Sequence, residues 1–308
     1  MKSKTLIAVL AVTFFLSWQA ENWNEVSINT KDGVLYGTLL DCGKERPVAL
    51  MISGSGPTDR DGNQSSGNVK NSSLEWLALD LNDRGISTLR YDKRTSGKSA
   101  GNFENKNLVL EDFVDDAVSS IRYLKSQGYD NIYLIGHSQG SLIGTLAAQQ
   151  EDVSGFISLS GPGRSIDLVL ADQFKNLSNS FSEETSEILS RIKSGAPVGK
   201  MSPEAKKLFS TDNVVFLKAW MAYNPVDEIA KLEIPMLFIA GETDIQVPLE
   251  ELELISNEVG PENCIVIPNM NHVLKESPID RQKNLRSYAD PSYGIADGLT
   301  ETIEYFIR

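Results

Sequence analysis

The amino-acid sequence predicts an α/β fold with a mostly parallel central sheet. Short, almost continuous apolar runs recur along the chain, and segments with helical periodicity separate them. PVALMIS, residues 47–53, is the first of these runs, and a glycine-rich loop follows it. A strand that is buried on both faces shows such a run, whereas a strand with one face in water alternates apolar and polar residues.

The predicted elements begin with an N-terminal antiparallel hairpin. In VSINTKDGVLYGTLL, Asp32 and Gly33 separate two β-rich runs, as in a hairpin turn. After the first buried strand, the pattern predicts a helix, a strand, a second helix and four more strands. Their approximate ranges are 72–84, 87–91, 109–126, 132–135, 156–159, 236–240 and 264–267.

The predicted helix at 109–126 is amphipathic. Apolar residues such as Phe113 and Ile121 recur on one of its faces. An acidic cluster lies opposite them, and we interpret it as the solvent-facing side of the helix. Its members are Glu111, Asp112, Asp115 and Asp116.

Residues from about 164 to 224 interrupt the alternation of strands and helices. They are polar and mostly helical in period, and the strand pattern resumes after them. We therefore expect a single domain, residues 21–308, with a helical cap inserted over the carboxyl edge of the sheet. NVVFLKAWMAY, residues 213–223, carries more apolar surface than one amphipathic face needs. Phe216 or Trp220 is predicted to line a substrate-binding site, with packing of the cap onto the sheet as the alternative.

The first 20 residues, MKSKTLIAVLAVTFFLSWQA, have the layout of a secretory signal peptide. Two lysines precede an apolar stretch that is too short for a comfortable membrane span, and small residues follow it. The expected location is therefore secreted or periplasmic, with no membrane span after removal of the signal. A retained N-terminal membrane anchor is the alternative.

Composition argues against several classes of partner and cofactor. The formal net charge is −13 without a basic block, which argues against binding to nucleic acid. The two histidines and two cysteines are too widely spaced for a local zinc cluster, so no metal is expected.

TSGKS, residues 95–99, resembles part of a phosphate-binding loop, but that motif requires glycine where Asp92 stands. We expect no nucleotide or other cofactor, and a bridge between Cys42 and Cys264 is possible but unsupported.

IGHSQGS, residues 135–141, places Ser138 between two glycines, after a predicted strand and before a predicted helix. A nucleophile elbow has this order, because its turn is so sharp that side chains at the flanking positions would collide. We therefore predict that Ser138 is a nucleophile. An ordinary glycine-rich turn is the alternative.

A serine hydroxyl needs a general base to become a nucleophile at neutral pH. Of the two histidines, His137 adjoins Ser138 in the chain and cannot easily reach its hydroxyl, so His272 is the predicted base. Asp244 is predicted to orient His272, because the order Ser, Asp, His along the chain matches that of α/β-hydrolases. The other candidate acids are Glu242 and Asp227.

The negative charge that forms on a substrate oxygen needs preorganised donors, normally two backbone N–H groups. Gln139 is expected to supply one, because its amide lies at a helix N-terminus. SGSGPTDRDGN directly follows the first buried strand, and it is expected to supply the second from Ser55 or, as second choice, from Gly54. An ordinary glycine turn is the alternative.

Three motifs of the chain resemble those of a known group of enzymes. SGSGPTDRDGN, RYDKRTSGKS and GHSQG resemble bacterial secreted carboxylesterases of the α/β-hydrolase superfamily, in the group near the S33 serine aminopeptidases. The resemblance covers nearly everything after residue 25. It implies an α/β-hydrolase fold and a catalytic triad of Ser138, Asp244 and His272. One departure is Thr95, where the superfamily usually has glycine in a turn.

The expected activity is hydrolysis of small-molecule carboxylic esters, with a short acyl group, through an acyl-enzyme intermediate. A serine aminopeptidase or a thioesterase is the alternative. An aminopeptidase needs a carboxylate to hold the free amine, and Asp59, Asp61 and acids of the predicted cap are candidates for that carboxylate. Outside enzymology, the alternative is a receptor that keeps the pocket of a hydrolase for ligand binding.

Overall fold

The computed structural model describes residues 23–65, 69–104, 107–175 and 179–308. The predicted signal peptide, residues 1–20, lies outside these described residues. Within them, no helix is both long enough and apolar enough to cross a membrane.

An eight-stranded sheet forms the centre of the described residues, in the order β1-β2-β4-β3-β5-β6-β7-β8. The pairs β1–β2 and β2–β4 are antiparallel, and every other neighbouring pair is parallel. The predicted N-terminal hairpin and mostly parallel sheet are therefore confirmed. The strands are β1 Trp23–Asn29, β2 Val34–Leu40, β3 Val48–Ile52, β4 Ser87–Tyr91, β5 Ile132–His137, β6 Gly155–Leu159, β7 Met236–Gly241 and β8 Cys264–Ile267.

Helices cover both faces of this sheet. One apolar core lies between the sheet and helices such as α2 and α3, and the second lies between the opposite face and α1 and α11. This double cover explains why the central strands read as continuous apolar runs. The helices are α1 Ser73–Asp83, α2 Leu110–Ser126, α3 Gln139–Ala148, α4 Ile166–Lys175, α5 Asn179–Ser194, α6 Pro203–Leu208, α7 Thr211–Trp220, α8 Pro225–Ile229, α9 Leu249–Val259, α10 Arg281–Arg286 and α11 Leu299–Ile307.

The acidic face of α2 is not wholly solvent-facing. Asp112 and Asp116 are buried, and Nη2 of Arg94 lies 2.6 Å from Oδ1 of Asp116. Our interpretation of this cluster was therefore wrong for these two residues. A buried carboxylate needs a partner, and the buried guanidinium of Arg94 provides it from a loop beside the helix.

The segment between β6 and β7 contains α4 to α8, and no strand occurs among its described residues. We call residues 164–229 the helical insertion. Its α7 packs on α2, where the ring of Phe216 meets that of Phe113.

Cys42 and Cys264 are free thiols that lie far apart. Cys42 follows β2 and Cys264 begins β8, and five strands of the sheet lie between these two. Since neighbouring strands are about 4.8 Å apart, the two thiols are well beyond disulfide reach.

Candidate active site

Ser138 occupies the turn between β5 and α3. Its backbone has φ 53° and ψ −118°, a combination that residues with a side chain rarely adopt. Close approaches require the flanking glycines. A Cβ on Gly136 would lie 2.3 Å from the backbone oxygen of Gly140, and a Cβ on Gly140 would lie 2.2 Å from that of Ile52. The sequence thus folds into a strained strand-to-helix turn that presents the Ser138 hydroxyl at the sheet edge.

Three side chains form a hydrogen-bonded row at this turn. Oγ of Ser138 lies 3.2 Å from Nε2 of His272, and Nδ1 of His272 lies 2.8 Å from Oδ2 of Asp244. His272 and Asp244 are buried, whereas Ser138 is partly exposed. In this arrangement the hydroxyl can pass its proton to the imidazole, and the carboxylate can stabilise the charged imidazolium.

The loop after β7 holds Asp244 in place. Oδ1 of Asp244 accepts hydrogen bonds from two backbone N–H groups of this loop, at 2.7 and 2.9 Å, which leaves Oδ2 for His272. The other candidate acids lie elsewhere. Glu242 accepts a hydrogen bond from the backbone N–H of Asn269, and Asp227 lies on α8.

His137 contacts the loop of His272 rather than the Ser138 hydroxyl. Its Nε2 lies 2.7 Å from the backbone carbonyl oxygen of His272, and the two imidazole centroids are 5.1 Å apart. Burial and the neighbouring His272 lower the pKa of His137 to about 4. His137 is therefore neutral at pH 7 and donates this hydrogen bond. The position of His137 beside Ser138 in the sequence gives no sign of this contact.

The candidate oxyanion donors come from two elements beside Ser138. A Cβ on Gly54 would lie 3.3 Å from Cβ of Ser138, so the loop after β3 packs directly against the nucleophile. Ser55 follows Gly54 and lines the same cavity as Ser138. Gln139 begins α3, where the first N–H groups have no acceptor within the helix. The structure therefore brings the loop of Ser55 and the helix of Gln139 together at the nucleophile.

The SGSGPTDRDGN and RYDKRTSGKS segments are tied to each other. Asp92 accepts hydrogen bonds from Nη2 of Arg60 at 2.7 Å and from the backbone N–H of Lys98 at 2.9 Å. Gly97 has φ 49°, and a Cβ there would lie 2.3 Å from the carboxylate of Asp92. Thr95 does not have a positive φ. The departure at Thr95 is therefore without strain, because the glycine that this turn requires stands at position 97.

Lys93 is a buried lysine beside the nucleophile that was not among the predicted site residues. Its Nζ donates hydrogen bonds to the backbone oxygen of Gly54 at 2.8 Å and to Oε1 of Gln139 at 2.9 Å. Burial lowers the pKa of Lys93 to about 7. The available signal was its place in RYDKRTSGKS, one of the motifs that carry the family resemblance.

A cavity of about 250 Å³ opens beside Ser138. Val69, Leu74 and Val273 are the apolar side chains of its lining, and the rest of the lining is mostly uncharged and polar. Among the described residues, the lining contains no Asp, Glu, Lys or Arg, and no cluster of His, Cys, Asp or Glu could hold a metal ion. Its polar side chains outside the row are Ser55, Thr58, Gln64, Asn71, Ser73, His137, Gln246 and Tyr288.

The structure does not bring Phe216 and Trp220 to this cavity. The ring of Phe216 packs edge to face against Phe113 at 5.7 Å and lies 5.9 Å from Trp220. Trp220 is only 9% exposed and belongs to the core that contains Phe113. The helical insertion thus packs these rings onto α2, whereas the packing alternative expected them on the sheet.

A family model described as serine aminopeptidase, S33, matches residues 70–277, which is more than half of the chain. The chain belongs to this S33 family. It is also 28% identical over 256 residues to Esterase EstD of Thermotoga maritima, in an alignment that covers 77% of this chain. This S33 member spans 58% of the length of EstD.

Two solved esterase structures share the fold of this S33 member. Est1E from Butyrivibrio proteoclasticus, with ferulic acid bound, matches with a TM-score of 0.56 and 22% identity over 92% of this chain and 96% of Est1E. The Pyrococcus furiosus esterase Pf2001 matches with a TM-score of 0.57 and 16% identity over 92% of this chain and 89% of its own. At such identities the likeness concerns the fold alone. The predicted α/β-hydrolase fold is confirmed.

Proposed function

We propose that this protein is a serine esterase that hydrolyses small-molecule carboxylic esters. The observation that carries the proposal is the hydrogen-bonded row of Ser138, His272 and Asp244, with separations of 3.2 and 2.8 Å. The S33 family and the relative named as an esterase support the same reaction class.

In the proposed reaction, Oγ of Ser138 attacks the ester carbonyl carbon while Nε2 of His272 takes the hydroxyl proton. The N–H groups of Ser55 and Gln139 stabilise the negative charge on the former carbonyl oxygen. His272 then gives its proton to the alkoxide that leaves, and an acyl-enzyme remains. Water attacks the acyl-enzyme with His272 as base, which releases the acid and restores Ser138. Asp244 orients His272 and stabilises its imidazolium in both halves.

Ester substrates are favoured over aminoacyl substrates by the charge of the cavity. An aminopeptidase must hold a free ammonium, and the described lining of the cavity contains no carboxylate for it. Asp59 and Asp61, two of the candidates from the sequence, are engaged elsewhere. Asp59 accepts hydrogen bonds from the backbone N–H groups of Asp61 and Asn63, and Asp61 pairs with the guanidinium of Arg90.

A short acyl group is favoured by the size of the cavity. Its volume of about 250 Å³ lies below that of the pockets that enclose drug-sized ligands, which begin at roughly 300 Å³. The apolar side chains of Val69 and Leu74 contribute to its wall. We therefore expect acetyl to butyryl esters to react faster than long-chain esters.

We also propose that the helical insertion acts as a cap on this site. Nε2 of Gln173, on α4, donates a hydrogen bond to the backbone oxygen of Gln246 at 3.0 Å, and Gln246 lines the cavity. Export through the N-terminal signal peptide stays a prediction. The intact mass of the protein isolated from the periplasm or the medium tests it.

The experiment that tests the esterase proposal compares nitrophenyl esters of increasing acyl length with aminoacyl nitroanilides and an acyl thioester. A fluorophosphonate probe is used in parallel to label the active-site serine. Ester turnover with labelling of the wild type, and neither in Ser138→Ala, is the expected result. Faster anilide or thioester turnover would favour those activities instead. Absence of both turnover and labelling would indicate a ligand-binding receptor.

A further inference from the structure

We propose that Lys93 is a positioning residue that holds both oxyanion donors in place. This inference rests on the esterase function proposed above. Nζ of Lys93 bonds to the carbonyl oxygen of Gly54 on one side of the nucleophile and to Oε1 of Gln139 on the other, at 2.8 and 2.9 Å. Lys93 thus links the two elements that carry the candidate donors.

The bond to Gly54 fixes the direction of the Ser55 N–H. The carbonyl oxygen of Gly54 and the N–H of Ser55 belong to one peptide unit, which is planar and trans, so they point in opposite directions. Once Lys93 holds the oxygen, the N–H has one direction available. A donor to an oxyanion contributes to catalysis only when it is aimed before the charge develops, so this constraint affects the rate.

The bond to Gln139 acts on the second donor through its side chain. Nζ donates to Oε1 of Gln139, so it holds the carbonyl end of the amide side chain. Gln139 is 2% exposed and begins α3 directly after Ser138. A fixed Gln139 side chain restricts rotation of the first turn of α3, which carries the backbone N–H of Gln139.

The surroundings of Lys93 leave these two bonds as its main polar contacts. Lys93 is 3% exposed, and Nζ lies 4.7 Å from the ring centroid of Phe113. Within the described parts of the chain, no carboxylate lies within ion-pair distance of Nζ; the nearby Asp116 is engaged by Arg94. A lysine kept in the interior without an ion pair is costly, and burial lowers its pKa to about 7. A buried lysine whose Nζ hydrogen-bonds to both oxyanion elements is accounted for by a role in positioning them.

The test is Lys93→Met, which keeps the length of the side chain and removes its charge and donors. We expect kcat for a short-chain nitrophenyl ester, and the rate of fluorophosphonate labelling, to fall about tenfold to a hundredfold, with KM nearly unchanged. The labelling rate does not depend on knowing the natural substrate. The matched control is Lys98→Met on the same segment, where the exposed lysine pairs with Glu25. We expect wild-type rates from this control.

A second variant approaches the same link from Gln139. Gln139→Met removes the acceptor of Lys93 but keeps the backbone N–H, and we expect a loss similar to that of Lys93→Met. In the double variant, the fold-loss of kcat should be smaller than the product of the two single fold-losses, because both substitutions break the same hydrogen bond. This variant also decides the question if Lys93→Met does not fold.

Folded Lys93→Met or Gln139→Met protein with wild-type kcat and labelling rate would overturn the role of Lys93 while the esterase function stands. A fall in both rates in Lys98→Met as large as in Lys93→Met would also overturn it. A wild-type protein without labelling would instead overturn the esterase function, and the inference with it.

Discussion

The imidazole of His137 donates a hydrogen bond from Nε2 to the backbone carbonyl oxygen of His272, at 2.7 Å. The residue before the nucleophile thus anchors the loop of the proposed base. Burial and the neighbouring His272 both disfavour the charged imidazolium of His137 and lower its pKa to about 4. The neutral imidazole is therefore the form that fits the folded protein.

The first prediction concerns the pH dependence of stability. The pKa of His137 is about 4 in the folded protein and about 6.5 in an unfolded chain, so the unfolded state binds the extra proton between these values. The stabilising effect of a neutral His137 is complete above pH 6.5, and it is lost progressively as the pH falls towards 4. His137→Gln has no titrating group here, so its free energy of unfolding should depend less on pH. Urea unfolding at pH 7, 6 and 5 measures this difference, and equal slopes for both proteins would contradict it.

The second prediction separates the two histidines and tests the nucleophile. Ser138→Ala should lower kcat roughly 10³-fold or more and abolish fluorophosphonate labelling, and His272→Ala should be nearly inactive. His137→Gln should keep substantial ester turnover and fluorophosphonate labelling, because His272 is the proposed base. Ser141→Ala, one turn further along the chain, is the control and should still be labelled. An inactive His137→Gln variant that is still folded, together with an active His272→Ala variant, would show that the wrong histidine was chosen.

The third prediction concerns the acid of the row. Asp244→Asn should keep the fold but lower kcat by about 10³- to 10⁴-fold, because an amide cannot stabilise the imidazolium of His272. Asp227→Asn is the matched control, since Asp227 is an exposed acid on α8. We expect wild-type kinetics from it. Steady-state kinetics of the two variants with one ester measure this difference. A larger loss of kcat in Asp227→Asn than in Asp244→Asn would show that Asp227 is the acid of the row.

The sequence was most informative where one physical requirement dominates. The strands Ser87–Tyr91 and Cys264–Ile267 have the bounds that the apolar runs predict. The relation of Ser138 to His272 could be predicted because an elbow has strict glycine requirements and the chain offers few histidines.

The contacts of buried polar groups could not be predicted in this way. Periodicity placed Asp116 in water, although Arg94 binds it in the interior. Hydropathy likewise gives no reason to bury Lys93, and its partners are far from it in the chain. The cavity is lined from the loop after β3, from α1 and from residues such as Tyr288, which only the folded chain brings together.

The fourth prediction concerns Phe216 and Trp220, whose apolar character does not reveal which partner they cover. The structure packs Phe216 against Phe113 and buries Trp220 in the same core. Trp220→Ala should therefore lower the free energy of unfolding by about 3 kcal/mol, as for other large core aromatics, and Phe216→Ala should also destabilise the fold. Because neither ring lines the cavity beside Ser138, the preference among acetyl, butyryl and octanoyl esters should keep its shape in both variants.

Leu74→Ala provides the comparison, because Leu74 does line that cavity. Its removal should improve the relative rate for longer acyl groups, since each additional buried CH₂ contributes about 0.8 kcal/mol of binding. The measurement is kcat/KM across the ester series, together with urea unfolding of each variant. If the profile shifts towards long chains in Trp220→Ala or Phe216→Ala, but not in Leu74→Ala, the helical insertion forms the acyl site instead.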